Sequence, residues 1–168
     1  MEHKYISKYQ QFSNDDLKEL KNTIIKNHPN NIDNIIEVGT KAGFATLMLS
    51  SISKNVVTLD EPAFWSPSVN DHLHLNHINN VRVRNDKNVL SVLEQEIKTN
   101  KPEVVYIDYI PNEVSPFLNV IKKFQKTATD YKTVTIIYRT ESGFESETIE
   151  ATKKITKKKA AVEASVSG

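Results

Sequence analysis

Apolar, β-branched segments alternate with amphipathic helical segments along this chain, and each apolar segment ends close to a polar residue or a glycine. The segments typical of strands span residues 35–38, 55–59, 81–83, 103–107 and 133–138. Strict alternation of this kind predicts a parallel sheet with helices on both faces. Because crossovers between parallel strands are right-handed, we expect an α/β fold with a Rossmann-like, doubly wound sheet of about five strands in the order 3-2-1-4-5.

The composition fits one globular domain. With 168 residues, 38% of them hydrophobic, the chain is long enough to bury a core. We assign residues 1–12 to a polar leader, 13–159 to the α/β domain and 160–168 to a disordered tail. The net charge of +1 favours neither nucleic acid nor an anionic membrane, and the absence of cysteine excludes thiolate chemistry. No signal peptide and no apolar run of about 20 residues is present, so we expect a cytoplasmic protein with no membrane partner.

Polar residues that directly follow strands are the candidates for a binding site, because ligands of such sheets bind at the carboxyl ends of the strands. Gly39 and Gly43 flank the first strand-to-helix turn, where glycine lets a ligand approach the backbone and the helix offers free N–H donors. Asp60 follows about 20 residues later, a spacing at which a carboxylate can accept hydrogen bonds from ribose hydroxyls. A tight turn and an unrelated surface carboxylate would give the same pattern.

The stretch IIEVGTKAGFATLMLS resembles motif I of class I S-adenosylmethionine-dependent methyltransferases, most closely the small-molecule O-methyltransferase branch related to catechol O-methyltransferases. The resemblance continues in order through VVTLD, HINNVRVRNDKNVLSVL and PEVVYIDYIP. It implies S-adenosylmethionine as the cofactor and a small-molecule acceptor that is methylated on oxygen or nitrogen. It also implies roles by position: the methionine moiety on Glu37 and the loop Gly39, Thr40, Lys41 and Gly43, the ribose on Asp60, the adenine against Asn85 and Asp86, and the acceptor at Asp108.

The chain departs from that family after the fifth predicted strand. Metal-dependent members carry an Asp-Asn pair there, whereas this chain has Arg139, Thr140 and Glu141, so we assign no metal ligand. Asp108 is then expected to be a general base or simply a helix cap. The family core continues with further strands, but residues 145–158 predict a polar helix. Strand five would be an exposed edge, which we expect the N-terminal segment or another subunit of a homo-oligomer to cover.

Two other functions remain open at this stage. A non-catalytic member of the fold, which binds S-adenosylmethionine or assembles with partners, would also lack the Asp-Asn pair. A dinucleotide-binding enzyme is disfavoured, because a G-x-G-x-x-G loop needs glycine where this chain has Lys41.

Several further motifs have a simple structural interpretation beside a functional one. The spacing of His72, His74 and His77 is found in zinc hydrolases, but a solvated helix explains it better. The lysines of residues 153–159 are typical of an exposed helix end and less so of a nucleic-acid site. Aromatic residues of the leader and of the loop after Asp60 either cover the site or pack as structure: Tyr5, Tyr9, Phe12, Phe64 and Trp65.

Overall fold

The computed structural model describes residues 12–62, 67–109, 111–127, 133–140 and 142–150. Five helices and six strands lie within these ranges. The helices are α1 Asn14–Asn27, α2 Phe44–Ser50, α3 Ser68–Leu75, α4 Val89–Asn100 and α5 Pro111–Thr127. The strands are β1 Ile32–Val38, β2 Ser53–Asp60, β3 Val81–Asn85, β4 Val104–Ile107, β5 Val134–Thr140 and β6 Gly143–Ile149.

All strands belong to one sheet in the order β3-β2-β1-β4-β5-β6. The first five run parallel, so the predicted doubly wound order is confirmed. The order reverses between β1 and β4, and this boundary is the switch point where sheets of this kind form a crevice. No helix of the described residues is long and apolar enough to cross a membrane.

Two apolar layers cover the sheet. Helices α4 and α5 pack on one face, where their buried side chains meet those of β1, β2, β4 and β5. Helices α1 and α2 pack on the other face. Helix α1 begins where the sequence predicts, because Ser13 and Asp16 form a reciprocal capping box. Burial on both faces explains why β4 is continuously apolar and why the second halves of β1 and β2 are mostly apolar.

The predicted helix over residues 145–158 is wrong in its first part, because residues 143–149 form β6. This strand pairs antiparallel with β5 through a tight turn, with Thr140 opposite Gly143. Phe144 contacts the rings of Phe12 and Tyr106, which fixes the strand against the α1 side of the sheet. The expectation that the N-terminal segment or another subunit covers β5 is therefore also wrong, since β6 covers it.

Several sequence predictions lie wholly or partly outside the described residues. Among them are the lysine cluster, the tail from residue 160, Phe64 and Trp65, and the leader tyrosines Tyr5 and Tyr9. Phe12 is described, and it packs as structure: its ring stacks on Phe144 with centroids 6.2 Å apart.

Candidate functional site

Three carboxyl groups lie at the carboxyl ends of three neighbouring strands. Glu37 is the second-last residue of β1, Asp60 is the last residue of β2, and Asp108 directly follows β4. None of the three is more than 4% exposed. Buried carboxylates need compensating partners, because removing a charge from water is costly. The partners of each residue therefore decide what this edge of the sheet can bind.

Glu37 has a compensating partner for only one of its two oxygens. Thr46 of α2 donates a hydrogen bond to Oε2. Oε1 is buried and has no hydrogen-bond partner among the described residues. Burial raises the pKa of Glu37 to about 8, and the nearby charges of Asp108 and Asp60 act in the same direction. The raised pKa therefore favours the protonated form of Glu37 at neutral pH.

Asp60 holds the loop that follows β1. Its Oδ2 accepts the backbone N–H of Lys41 at 2.7 Å, and its Oδ1 accepts that of Glu61 at 2.8 Å. Burial raises the pKa of this carboxyl, although the two backbone hydrogen bonds oppose the shift. Thr40 adds a second link between the loop and β2, with its hydroxyl 2.6 Å from that of Thr58. Asp60, the residue predicted to bind the ribose, therefore also holds the glycine loop in place.

The two glycines of the loop are required by packing within the chain. Gly39 has φ = 101°, and a Cβ there would lie 2.8 Å from the backbone oxygen of Asp108. Gly43 has φ = 83°, and a Cβ there would lie 3.2 Å from Val69 Cγ2 of α3. Close approach of other backbone and side chains therefore accounts for both glycines without any ligand.

Lys41 joins the ends of three strands. It follows β1, its backbone N–H binds Asp60 of β2, and its Nζ lies 2.8 Å from Oδ2 of Asp108 after β4. The Asp108 side chain is only 6% exposed and that of Lys41 is 25% exposed. The ion pair consequently lies at the mouth of the crevice between β1 and β4.

Asn85 and Asp86 lie beside Asp60 on the neighbouring strand and are exposed. Asn85 is the register partner of Asp60, and the backbone N–H of Asp86 donates to the backbone oxygen of Asp60 at 3.1 Å. The carboxylate of Asp86 accepts the N–H of Asn88 at 2.8 Å and so shapes the turn before α4. All nine predicted site residues therefore lie at the same end of the sheet.

Tyr106 lies at the same end of the sheet and is not among the site residues predicted from the sequence. It is the register partner of Glu37 and is fully buried on the same face. Its hydroxyl has no hydrogen-bond partner among the described residues, and burial raises its pKa well above the usual value. The period of two along β4 places Tyr106 on the same side as Asp108, and this signal could have identified it from the sequence.

The end of β5 carries a cation, Arg139, and no Asp-Asn pair. Arg139 lies over the Phe12 ring at 4.7 Å, and its Nη2 is 3.3 Å from Oδ2 of Asp16. Nowhere in the described ranges do three or more His, Asp or Glu side chains form a group that could hold a metal ion. His72 and His74 lie on α3 and His77 just beyond its end; His74 and His77 are exposed, whereas His72 is partly buried and its Nδ1 is buried.

Solved structures of methyltransferases have the same fold. A "putative O-methyltransferase" from Klebsiella pneumoniae matches with a TM-score of 0.60 and 16% identity, over 78% of this chain and 57% of that one. An O-methyltransferase from Bacillus cereus, solved in complex with SAH, matches with a TM-score of 0.58 and 22% identity, over 77% of this chain and 58% of that one. The chain thus spans less than three fifths of the length of either relative.

No protein-family model matches the sequence, and no curated protein matches it. The likeness is therefore one of architecture at low sequence identity. On that basis the chain has the fold of the class I S-adenosylmethionine-dependent methyltransferases, and the solved structures that share this fold include O-methyltransferases.

Proposed function

We propose that this domain binds S-adenosylmethionine at the crevice between β1 and β4 and transfers its methyl group to an oxygen or nitrogen of a small molecule. The observation that carries the proposal is the cluster of three buried carboxyl groups at the carboxyl ends of the strands. Glu37, Asp60 and Asp108 are all buried there. Asp108 forms an ion pair with Lys41. A positively charged ligand beside these carboxyl groups would stabilise their ionised forms, including that of Glu37, whose pKa is raised without a ligand, and S-adenosylmethionine carries both a sulfonium and an ammonium group.

The buried polar atoms of the edge fit such a ligand. Glu37 Oε1 and the Tyr106 hydroxyl are both buried without hydrogen-bond partners among the described residues. A buried polar atom without a partner costs about 1–3 kcal/mol, so a ligand that supplies polar partners gains by satisfying it. Glu37 and the loop from Gly39 to Gly43 would hold the methionine moiety, Asp60 the ribose, and Asn85 with Asp86 the adenine.

The cofactor supplies an electrophilic methyl group when it is bound. The protein would contribute mainly by position, since aligning donor and acceptor for in-line displacement removes much of the entropic barrier. Asp108 is the residue that we expect to orient or deprotonate the acceptor. It lies at the crevice with its backbone N–H fixed to the carbonyl of Val38 at 2.8 Å, so its side chain starts from a rigid position.

The test replaces Asp108 with Asn, which keeps the shape and removes the negative charge. We expect methyl transfer to fall at least about 100-fold, as for the loss of a general base, while S-adenosylhomocysteine still binds. Calorimetric titration measures binding, with NAD as the control ligand, and a screen of hydroxyl and amine acceptors measures transfer. Full activity in the variant would exclude Asp108 from this role. Binding without transfer to any acceptor in the wild type would instead favour the alternative, a non-catalytic module of the same fold.

A further inference from the structure

The Lys41 ammonium is a cation that the chain itself places at the switch point. It lies 2.8 Å from Asp108, the carboxylate that ends the strand across the crevice. Gly39 and Asp108 also approach so closely that no Cβ would fit between them. A ligand bound at the switch point between β1 and β4 would therefore lie beside this ion pair.

The backbone of Lys41 is held independently of the ion pair that its side chain forms with Asp108. Its backbone is held separately, because the N–H of Lys41 donates to Asp60 at 2.7 Å. The ammonium is carried on a flexible four-carbon stem and is already 25% exposed, so rotation of the side chain can bring it into water. Movement of Lys41 thus requires no change in the strands.

We propose that Lys41 determines the selectivity of this site between S-adenosylmethionine and S-adenosylhomocysteine, by acting as an internal counter-cation that only a positively charged ligand replaces at Asp108. This inference rests on the proposed function. The two ligands differ in charge at one atom, the sulfur, which is a sulfonium in the first and a neutral thioether in the second. Lys41 leaves Asp108 when a sulfonium lies beside it and stays, or returns, when the sulfur is neutral.

The experiment compares the dissociation constants of both ligands for the wild type and for Lys41→Met, by calorimetric titration. Methionine keeps most of the length of the stem and removes the charge. We expect S-adenosylmethionine to bind about three- to tenfold more tightly to the variant, since it no longer displaces a partly buried ion pair. The affinity for S-adenosylhomocysteine should not increase, because Asp108 in the variant lacks a counter-cation both before and after this ligand binds. The ratio of the two constants therefore changes.

Lys54→Met is the matched control. Lys54 also forms an ion pair, with Asp33 at 2.7 Å, but its side chain is 65% exposed and it lies at the start of β2, away from the crevice. The constants for both ligands should equal those of the wild type in this variant.

Other outcomes separate the two proposals. If Lys41 instead binds the carboxylate of the cofactor, both constants rise by the same factor in Lys41→Met, and the inference is overturned while the proposed function stands. Equal constants in variant and wild type overturn it in the same way. If neither ligand binds the folded wild type, the proposed function itself fails.

A second measurement needs no variant. Amine-specific labelling of the wild type, read out by mass spectrometry at Lys41, reports whether the ammonium is paired. We expect labelling of Lys41 to speed up with saturating S-adenosylmethionine and not with S-adenosylhomocysteine, with Lys54 as the internal reference. Labelling that is equal with both ligands would overturn the inference.

Discussion

At the scale of single residues, the most constrained position of the site is Gly39. Its φ of 101° lies in a region that other residues rarely adopt, and its missing side chain makes room for the backbone of Asp108. The atom that a new Cβ would meet is a carbonyl oxygen at the end of a central strand, and such an atom cannot move without shifting the sheet. The contact between β1 and β4 therefore depends on this one glycine.

Replacing Gly39 with Ala should lower the free energy of unfolding by about 2–4 kcal/mol, from backbone strain and overpacking together. Gly143→Ala is the matched control. It has φ = 132°, but its new Cβ would meet the end of the Glu19 side chain, which can rotate away. Urea denaturation of both variants measures the difference. An equal loss in the two would show that strain alone matters and that the contact with Asp108 does not.

The residues of the site that could be predicted are those that follow strands. Asp60, Asp108 and the loop after β1 are visible because polar residues interrupt apolar runs at regular intervals. The pairing of Lys41 with Asp108 was not predictable, since the two residues are far apart in the sequence and meet only when β1 and β4 become neighbours. Tyr106 was missed because it lies inside an apolar strand, where an aromatic residue is typical of core packing.

At the scale of elements, β6 is the part of the fold that the sequence did not reveal. Glu145 and Glu147 are compatible with a helix of alternating charge that the following lysines would continue. They are equally compatible with the exposed positions of an edge strand, where charged side chains protect the sheet from further pairing. The decision between the two comes from tertiary contacts: Glu145 accepts the hydroxyl of Tyr138, and Glu147 pairs with Lys122 of α5.

Phe144 is the residue that fixes β6 to the sheet, and its replacement tests this role. Its ring lies 6.2 Å from the centroids of both Phe12 and Tyr106. Phe144→Ala should lower the free energy of unfolding by about 1–3 kcal/mol, because a partly buried aromatic contact is lost. Phe144→Leu, which keeps an apolar side chain, should cost less. The midpoint of urea denaturation checks both, and an unchanged midpoint for the alanine variant would contradict the role.

At the scale of the whole molecule, Glu37 should make stability depend on pH. The folded protein keeps this carboxyl protonated up to about pH 8, whereas an exposed glutamic acid in the unfolded chain ionises near 4.5. Between these values unfolding releases a proton, so the free energy of unfolding should fall as pH rises. The contribution of this one group has a limiting slope of about 1.4 kcal/mol per pH unit.

Urea denaturation of the wild type and of Glu37→Gln at pH 5.5, 6.5 and 7.5 measures this contribution. The variant should lose the part of the slope that comes from Glu37. Glu94→Gln, at an exposed ion pair of α4, should leave the slope unchanged. The same slope in wild type and Glu37→Gln would mean that Glu37 is ionised in the folded protein.

The ion pair of Lys41 with Asp108 has a consequence for how the molecule responds to ionic strength. Dissolved salt screens charges in water over about 8 Å at 0.15 M, and it weakens exposed pairs such as Lys54 with Asp33. It screens the pair of Lys41 with Asp108 far less, because the carboxylate of Asp108 is only 6% exposed. The charge arrangement at Lys41 and Asp108 should therefore change less between dilute buffer and concentrated salt than the exposed ion pairs of the outer surface do.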